Sequence, residues 1–372
     1  MDPKILYVNI ISKKSIGVFK ILKHKALTAK DLDIPMDILV INPEDSYKKD
    51  NITFLKVGYS SYKFKIFAPN VLLEYLNKHI NNYDILLLRY PLVESPYLLK
   101  VLKNFKGIIV SEHHTHEFSE LLSTGRKIDK IRAIWDYLIK PYYFKYIKGL
   151  VAVTSEIAKF QKKYIKKYIP SCVVSNGIRV KDINYTGYTK FNGKYIKCLI
   201  LTSECQPWQG VDIIINSLRK WKKLRVELYI IGKLSEQIKK ILATLDNPKV
   251  KIFNYNNLSE EKLQILLKST NFAFSSLALY RKGLQEACPL KTREYLARGI
   301  PIVYSYKDTD LNGDEPFALR IDTNNNYLDW DQIIEFLKTV PEGNEIREWA
   351  KKNVDLSLKL SKLYSFLKGL YS

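Results

Sequence analysis

Two series of short, uninterrupted apolar segments constrain the fold of this chain more than any other feature of its sequence. Polar residues bound each segment, and helical stretches such as 17–28 and Val71–His79 separate them. Strands buried on both faces have this composition, which indicates parallel sheets covered by helices. The alternation predicts a doubly wound α/β fold class. The strands predicted in the first series are Lys4–Ile11, Met36–Asn42, Tyr83–Arg89, Gly107–Ser111, Gly149–Thr154 and Ser171–Ser175.

The second series begins near Tyr195, after the polar stretch Val180–Lys194, which we interpret as a linker. A length of 372 residues also favours two domains over one. We therefore predict one Rossmann-like domain over 1–185 and a second over 186–355. We expect a last helix within 356–372 to pack back on the first domain. The strands predicted in the second series are Lys197–Thr202, Val226–Ile231, Lys249–Phe253, Phe272–Ser275 and Ile300–Tyr304.

The composition excludes several classes of protein. Hydrophobic residues make up 46% of the chain and charged residues 26%, as in globular proteins. No apolar run approaches the roughly 20 residues that span a bilayer, and the N-terminus lacks the regions of a signal peptide. The four cysteines show no zinc-site spacing. We expect a reduced, soluble, cytoplasmic protein.

The net charge of +22 is the most unusual bulk property. Residues 1–180 carry 30 Lys and Arg against 16 Asp and Glu, so the excess favours the first half of the chain. Such a field attracts the phosphates of nucleotides, nucleic acids or anionic lipids. The alternative is a solvated, lysine-rich surface, and the charge alone does not identify a partner.

The segment Leu277–Ser305 has the most informative local pattern. Glu286 and Glu294 lie eight positions apart, and Pro289 stands where a helix is expected to begin. The predicted helix covers Pro289–Arg298 and ends at Gly299, a typical C-terminal glycine. The pattern therefore places one carboxylate before the helix and one inside it.

The start of this helix is a candidate anion site. The backbone amides of Leu290 and Lys291 point out of a helix N-terminus, where the helix dipole also favours negative charge. The Lys291 side chain adds a cation, and Arg281 and Lys282 precede the same loop. A phosphate group is the ligand that fits this combination.

The two carboxylates suggest a sugar and a ribose next to that phosphate. Glu294, about one turn into the helix, can accept two hydrogen bonds from a vicinal diol such as ribose, and Glu286 would contact a sugar beyond the phosphates. The alternative is a pair of solvated carboxylates, since this spacing is common by chance. The strand, basic loop, proline and glycine around the pair favour the functional interpretation.

The segment resembles the signature of glycosyltransferase family 4, the group 1 transferases with the GT-B fold. Further resemblances follow in the expected order at Gly17, Ser175–Ile178, Trp208–Asp212 and Leu228–Gly232. The resemblance implies two Rossmann-like domains facing across a cleft, an acceptor-side domain first and a nucleotide-sugar-binding domain second. It also implies a retaining reaction that needs no cofactor and no metal.

By motif position, the resemblance assigns roles to individual residues. Glu286 would contact the donor sugar as a catalytic residue, Glu294 would hold the ribose, and Pro289, Leu290 and Lys291 would hold the diphosphate. Gly17 matches the glycine of the family's N-terminal loop, which adds it to the donor-binding residues.

This sequence departs from the family pattern at several positions. The family's phosphate-binding lysine is replaced by Gln209, and Ser203 and Glu204 stand near the position of its arginine. The second glycine of the family's G-x-G strand is Leu234, and Arg179 replaces an acidic residue. The diphosphate charge would then have to be met by Arg281, Lys282 or Lys291.

Three of the five histidines lie between Glu112 and Glu117, directly after a predicted strand. Loops at the carboxyl ends of strands carry the sites of α/β folds. The resemblance implies that a histidine here binds the donor sugar, which favours His114, then His116. Two alternatives stay open: a metal site, since H-x-H with two carboxylates suits zinc, and ordinary polar loop residues. We predict no metal.

Two neighbouring segments, 126–148 and 159–167, combine many lysines and arginines with aromatic residues. This combination is typical of proteins that contact anionic membranes, and of proteins that bind single-stranded nucleic acid. The alternative is an amphipathic helix that covers the sheet. For its apolar face we favour that alternative and expect four residues to be buried: Ile128, Ile131, Trp135 and Leu138.

The predicted function is a retaining transfer of a sugar from a UDP- or GDP-sugar donor to a glycan or lipid-linked acceptor, in surface polysaccharide or glycoconjugate assembly. An anionic membrane surface at the inner face of the membrane is a further predicted partner. The alternatives are a nucleotide-sugar epimerase or a phosphorylase of the same fold, and a basic nucleic-acid-binding protein. No nucleic-acid motif is visible, which makes nucleic acid the least favoured partner.

Overall fold

The computed structural model describes residues 2–11, 16–44, 46–58, 61–79, 82–92, 96–123 and 126–372. The chain divides into two compact units. The first contains residues 1–176 and 356–372, and the second contains residues 177–355. Within the described ranges, no helix combines the length and the apolar character that crossing a membrane requires.

The first unit is built on a sheet that is parallel except at one edge, where β3 runs antiparallel to β4. The described strands follow the order β3-β4-β2-β1-β5-β6-β7-β8. Chain order reverses between β1 and β5, which makes the sheet doubly wound. The strands are β1 Ile5–Ile10, β2 Met36–Asn42, β3 Tyr47–Lys49, β4 Ile52–Lys56, β5 Ile85–Arg89, β6 Ile108–His113, β7 Gly149–Ala152 and β8 Ser171–Val173.

Helices cover both faces of this sheet, and the central strands are accordingly apolar on both sides. The first four residues of β5, Ile85 to Leu88, are fully buried and alternate between two separate apolar clusters. The helix α13 belongs to this unit, where Leu360, Leu363 and Leu367 share a cluster with Leu22 and Ala26 of α1. The helices are α1 Ile16–Asp31, α2 Ser61–Lys78, α3 Pro96–Asn104, α4 Glu117–Ser123, α5 Lys127–Phe144, α6 Ser155–Lys162 and α13 Leu356–Tyr371.

The second unit has a parallel sheet with the described strand order β11-β10-β9-β12-β14-β16, and β13 pairs separately with β15. Chain order reverses here between β9 and β12, so this unit is doubly wound as well. The strands are β9 Tyr195–Glu204, β10 Arg225–Lys233, β11 Val250–Tyr255, β12 Phe272–Phe274, β13 Glu286–Ala287, β14 Ile302–Tyr304, β15 Lys307–Asp308 and β16 Ala318–Arg320.

Local capping signals fix several helices of the second unit. Ser235 and Ser259 accept hydrogen bonds from backbone amides in the first turns of α8 and α9. Short 3-10 helices at Val180–Asp182, Pro207–Gln209 and Leu279–Lys282 complete the unit. The α-helices are α7 Val211–Leu218, α8 Glu236–Ala243, α9 Glu260–Lys268, α10 Leu290–Arg298, α11 Trp330–Thr339 and α12 Gly343–Asn353.

The boundary between the units lies after residue 176, nine positions before the predicted end at 185. The segment after this boundary packs in the second unit, where Ile178, Val180 and Ile183 form a buried cluster with Ala297. The amide of Val180 also donates to the Asp355 carboxylate at 3.0 Å. These contacts join distant parts of the sequence, so the polar composition of 180–194 did not reveal them.

The prediction that the apolar face of the 126–148 helix is buried was wrong. Ile128, Ile131, Trp135 and Leu138 of α5 are all exposed. The opposite face, which packs inward, contains the buried charged residues Asp129, Asp136 and Lys140. Ion pairs compensate this burial, as described below for Lys140.

Candidate functional site

The three predicted cations and the start of α10 lie near the carboxyl ends of β9 and β12. These two strands are neighbours at the point where chain order reverses, which is where open α/β sheets bind their ligands. The 3-10 helix Pro207–Gln209 follows β9, and the 3-10 helix Leu279–Lys282 follows β12.

These two loops pack backbone to backbone. The amide of Leu277 donates to the Gln209 carbonyl at 3.1 Å, and the amide of Ala278 donates to the Trp208 carbonyl at 3.1 Å. Gly210 has a φ of +73°, and a Cβ atom there would lie 2.7 Å from the Cβ of Leu277. Only glycine permits both this conformation and this approach.

The helix α10 begins at Leu290, with Pro289 as its N-cap in extended conformation rather than as its first residue. The first amides bonded within the helix are those of Thr292 and Arg293, which donate to the Pro289 carbonyl. The amides of Leu290 and Lys291 precede them in the first turn, at the positive end of the helix dipole. Gly299, with a φ of +78°, ends the helix as predicted.

Lys291 brings a partly buried amine to the loop after β9. Its amine donates a hydrogen bond to the side-chain oxygen of Gln209. Burial lowers the pKa of Lys291 to about 7. Gln209 occupies the position where the resembled family has its lysine, so the Lys291 amine lies beside the position that the sequence left without a cation.

The other two predicted cations are engaged elsewhere. Arg281 donates at 2.9 Å to the Asp212 carboxylate and to the Pro207 carbonyl. Partial burial lowers the pKa of Arg281, but the hydrogen bond to Asp212 and the charge of that carboxylate raise it. The net result is a pKa above the usual value. The Lys282 amine lies 4.4 Å from the centre of the Trp208 ring. Neither contact directs the cation to the first turn of α10.

Glu294 is held by an arginine that the sequence analysis missed. One oxygen of Glu294, Oε1, accepts from Arg298 at 2.8 Å, and the same Arg298 nitrogen donates to Glu260 at 2.7 Å. Arg298 is buried, whereas Glu294 is partly exposed. The four-residue spacing from glutamate to arginine on one helix was a signal that could have revealed this pair.

Glu286 lies on β13 and contacts a lysine of the paired strand. The Lys307 amine donates to the carboxylate of Glu286 at 3.0 Å, and these two residues are register partners in the β13–β15 pair. They are 21 positions apart with no local motif between them, so sequence analysis had no signal for Lys307.

A buried ion pair fixes the segment that carries both glutamates. The guanidinium of Arg293 donates to both oxygens of Asp308, at 2.5 and 2.7 Å, and to Asp310 at 2.5 Å. A bidentate pair of this kind constrains orientation as well as distance. Because Asp308 lies on β15, the pair ties α10 to the two-stranded sheet that contains Glu286.

In the first unit, His114 lies beside a buried carboxylate. Its Nε2 atom is 3.0 Å from Glu112, which also accepts hydrogen bonds from Tyr7 at 2.5 Å and from Lys25 at 3.1 Å. Burial lowers the pKa of His114 to about 4, so its imidazole is neutral near pH 7. The charge of Lys25, together with hydrogen bonds from His114 and Tyr7, holds the pKa of Glu112 well below its usual range.

The third histidine of the cluster, His113, belongs to a buried network that the sequence did not predict. Its Nδ1 lies 2.8 Å from Glu117, which also accepts from Lys140 at 3.1 Å and from Gln161 at 2.7 Å. Lys140 is paired as well with Asp136 at 3.0 Å. This network links α4, α5 and α6 through charged and polar side chains.

His116 and Gly17 complete the predicted residues. Burial lowers the pKa of His116 to about 4, and its ring packs against Phe160. Gly17 is the second residue of α1, and residues 12–15 before it lie outside the described part. Within the described ranges, no three His, Cys, Asp or Glu side chains are placed to hold a metal ion.

A groove of about 420 Å³ lies at the carboxyl ends of β1 and β5 in the first unit. It combines apolar walls with charged groups from the loop and helix that follow β6. Its polar lining comes from Arg89, Tyr90, Thr115, Glu117 and Glu120.

Comparisons with known proteins support the fold. No family model matches the chain, and no curated protein matches its sequence. Among solved structures, the chain is similar to the apo form of the lipopolysaccharide outer core galactosyltransferase WaaB, with a TM-score of 0.66 and 14% identity. It is similar to sucrose-phosphate synthase from Thermosynechococcus elongatus, with a TM-score of 0.67 and 10% identity. Each match covers 98% of this chain and 99% of the other.

A third similar structure is a mutant form of S. aureus TarM in complex with fondaparinux, α-GlcNAc-glycerol and UDP. Its TM-score is 0.60 at 13% identity, over 98% of this chain and 99% of that one. These similarities confirm the predicted GT-B fold class. At such identities they establish the fold alone.

Proposed function

We propose that this protein is a glycosyltransferase that moves a sugar from a nucleotide diphosphate sugar to an acceptor. The observation that carries the proposal is the arrangement around α10. Its first turn contacts Ser275 after β12 and Gln209 after β9, the two strands between which chain order reverses. Glu286 precedes the helix, and Glu294 lies inside it. A phosphate at the helix start, with a diol and a sugar at the two carboxylates, describes such a donor.

We assign the diphosphate to the amides of Leu290 and Lys291 and to the Lys291 amine. Lys291 is the best placed of the three predicted cations because its amine already lies beside Gln209. Arg281 would first have to leave Asp212. Pro289 contributes by starting the helix at the position that exposes these amides, and Lys282 is a secondary contact.

We assign the ribose to Glu294 and the transferred sugar to Glu286. Arg298 fixes Glu294 through its Oε1 atom. Among the described residues, Oε2 has no partner and is available for a ribose hydroxyl. The Lys307 amine donates to the carboxylate of Glu286, and a carboxylate can accept further hydrogen bonds from sugar hydroxyls.

The remaining residues and the acceptor follow from the same proposal. We assign His114 to a neutral hydrogen bond with a sugar hydroxyl, and we retain His116 and Gly17 as further donor contacts. We propose that the groove at Arg89 and Tyr90 binds a glycan or lipid-linked acceptor. The donor is a UDP- or GDP-sugar, the reaction retains the anomeric configuration, and phosphate charge is met by Lys291 and helix amides without a metal.

Nucleotide release tests this proposal. A panel of UDP- and GDP-sugars is incubated with the protein, with and without EDTA, and free UDP or GDP is measured. We expect release from one donor class, undiminished by EDTA, and NMR of the product should show the donor's anomeric configuration. Absence of both donor hydrolysis and nucleotide binding across the panel would contradict the proposal. Loss with EDTA that manganese restores would contradict its metal-free part.

A further inference from the structure

We propose that the outward side of α5, together with the lysines beside it, docks this protein on an anionic lipid bilayer. The outer face of α5 is defined here by five residues: Ile128, Ile131, Trp135, Leu138 and Tyr142. They recur every three or four positions along the helix and all point away from the unit's core. This inference does not depend on the proposed transferase activity.

The helix α5 has the reverse of the usual amphipathic arrangement. On its outer face, Ile131 is 63% exposed and Trp135 is 50% exposed. On its inner face, Asp129, Asp136 and Lys140 are buried. A surface helix of a soluble protein normally turns its apolar stripe inward. An outward apolar stripe of this length indicates a surface that is covered in the working state.

Contacts with other elements fix this orientation. Lys140 donates to Glu117 of α4 at 3.1 Å, and the Asp136 carboxylate accepts from the hydroxyl of Tyr90, which follows β5, at 2.5 Å. Turning the helix to bury its apolar stripe would separate these buried charges from their partners, which is strongly unfavourable. The apolar face is therefore held outward by the packing of the unit.

Cations surround one end of the apolar face. Lys145, Lys166 and Lys167 line a groove of about 450 Å³ together with Leu138 and Tyr142. The Lys145 amine lies 4.8 Å from the centre of the Tyr142 ring, and the neighbouring Tyr168 is 91% exposed. Lysines beside exposed tyrosine and tryptophan match the phosphates and the interfacial zone of a bilayer.

The charges favour a bilayer over a second copy of the chain. A twofold contact through this face would bring the lysines of one copy towards those of the other, because such an interface pairs the same patch with itself. An anionic surface instead neutralises them. The 18 residues of α5 can lie in the bilayer plane with the apolar side inserted.

Vesicle flotation tests the apolar part. Wild type should float with vesicles of phosphatidylcholine and phosphatidylglycerol, and weakly with phosphatidylcholine alone. The double variant Ile131→Ser with Trp135→Ser should bind the anionic vesicles at least about tenfold more weakly, since it removes two apolar side chains from the inserted face. The matched control is Ile265→Ser on α9, another exposed isoleucine, which should bind like wild type.

The same assay tests the cationic part. The double variant Lys166→Gln with Lys167→Gln should reduce binding roughly 25-fold, because each lysine near an anionic surface contributes about a factor of five. High salt should reduce wild-type binding in the same direction. Lys220→Gln with Lys222→Gln, exposed lysines of the second unit, should leave binding unchanged.

Further readouts separate docking from misfolding. Trp135→Phe should keep vesicle binding but lose the blue shift of tryptophan fluorescence, and all variants should keep wild-type circular dichroism. Unchanged binding by the apolar double variant would overturn the proposal. A second outcome would also overturn it: wild type does not bind vesicles but is a dimer in light scattering, and the apolar double variant is a monomer. That result would assign the face to a second copy of the chain.

Discussion

The two glutamates of the candidate site are paired with cations of very different burial. Glu294 is held by Arg298, which is almost fully buried, whereas Glu286 contacts Lys307, which is mostly exposed. A buried arginine that donates from two nitrogens fixes an orientation, and an exposed lysine fixes little. We therefore expect the first carboxylate to be preorganised and the second to adapt to its ligand.

Replacement of Glu294 by alanine should weaken nucleoside diphosphate binding by about 1.5–3 kcal/mol, the usual contribution of a charged hydrogen bond. Isothermal titration calorimetry measures this loss. Glu260→Ala is the matched control, because it removes the other carboxylate partner of Arg298 without removing the ribose ligand. Equal losses in the two variants would assign the effect to Arg298 and refute the role of Glu294.

Replacement of Glu286 by glutamine should lower turnover about a hundredfold or more while nucleotide affinity stays near wild type. Glu286 is proposed to contact the transferred sugar, so its loss affects the reaction and not the nucleotide. Steady-state kinetics together with calorimetry separate the two effects. Glu261→Gln on the exposed side of α9 serves as control. Turnover within a few-fold of wild type would remove Glu286 from the site.

At the scale of single elements, the start of α10 combines two sources of positive potential. The amides of Leu290 and Lys291 are fixed by the helix, whereas the Lys291 amine carries charge only when protonated. Because the pKa of this amine is lowered to about 7 by burial, its charge changes within the range of ordinary buffers. A bound phosphate favours the charged form and raises this pKa.

Nucleotide affinity should therefore fall as pH rises above about 7, by up to about tenfold per pH unit, until the pKa of the bound state is reached. Affinity falls with rising pH because the complex keeps the Lys291 amine protonated, whereas the free protein loses this proton above about pH 7. Affinity is measured between about pH 6 and about pH 9. The variant Lys291→Gln should bind the nucleotide more weakly, and its affinity should vary with pH only through titration of the nucleotide's own phosphate. The same slope in both proteins would contradict this assignment.

At the scale of the whole molecule, the chain returns to its first unit after completing the second. Helix α13 places Leu360, Leu363 and Leu367 in the apolar cluster that also contains Leu22 of α1. The last 17 residues therefore stabilise a unit whose other residues end at 176. The stability of the first unit therefore depends in part on the end of the chain.

Replacement of Leu367 by alanine should lower the free energy of unfolding of the first unit by about 2–5 kcal/mol, as expected for a fully buried leucine. Leu358→Ala, at an exposed position of the same helix, should change it by less than about 0.5 kcal/mol. Hydrogen exchange with mass spectrometry localises the effect. Faster exchange should appear in α1 and β1 and be absent from β9 and β10. Equal acceleration in both units would contradict this assignment.

The sequence by itself determined most strands of the two large sheets, the helix α10, and where the candidate site lies along the chain. The predicted strand Met36–Asn42 is β2 with the same bounds, and the predicted helix 289–298 is α10 from residue 290. These features rest on local signals. Runs of apolar residues define buried strands, and proline and glycine mark the two ends of α10.

Only the tertiary structure decided which side of α5 is buried and which groups hold the site. The apolar period of α5 correctly identified an apolar stripe. The buried Lys140 pairs with Glu117 on α4 and with Asp136 on α5 itself, and this packing turns the stripe outward. Lys307 reaches Glu286 through pairing of two distant strands. Such contacts depend on which elements become neighbours in space, and side-chain periodicity along one element carries no information about that.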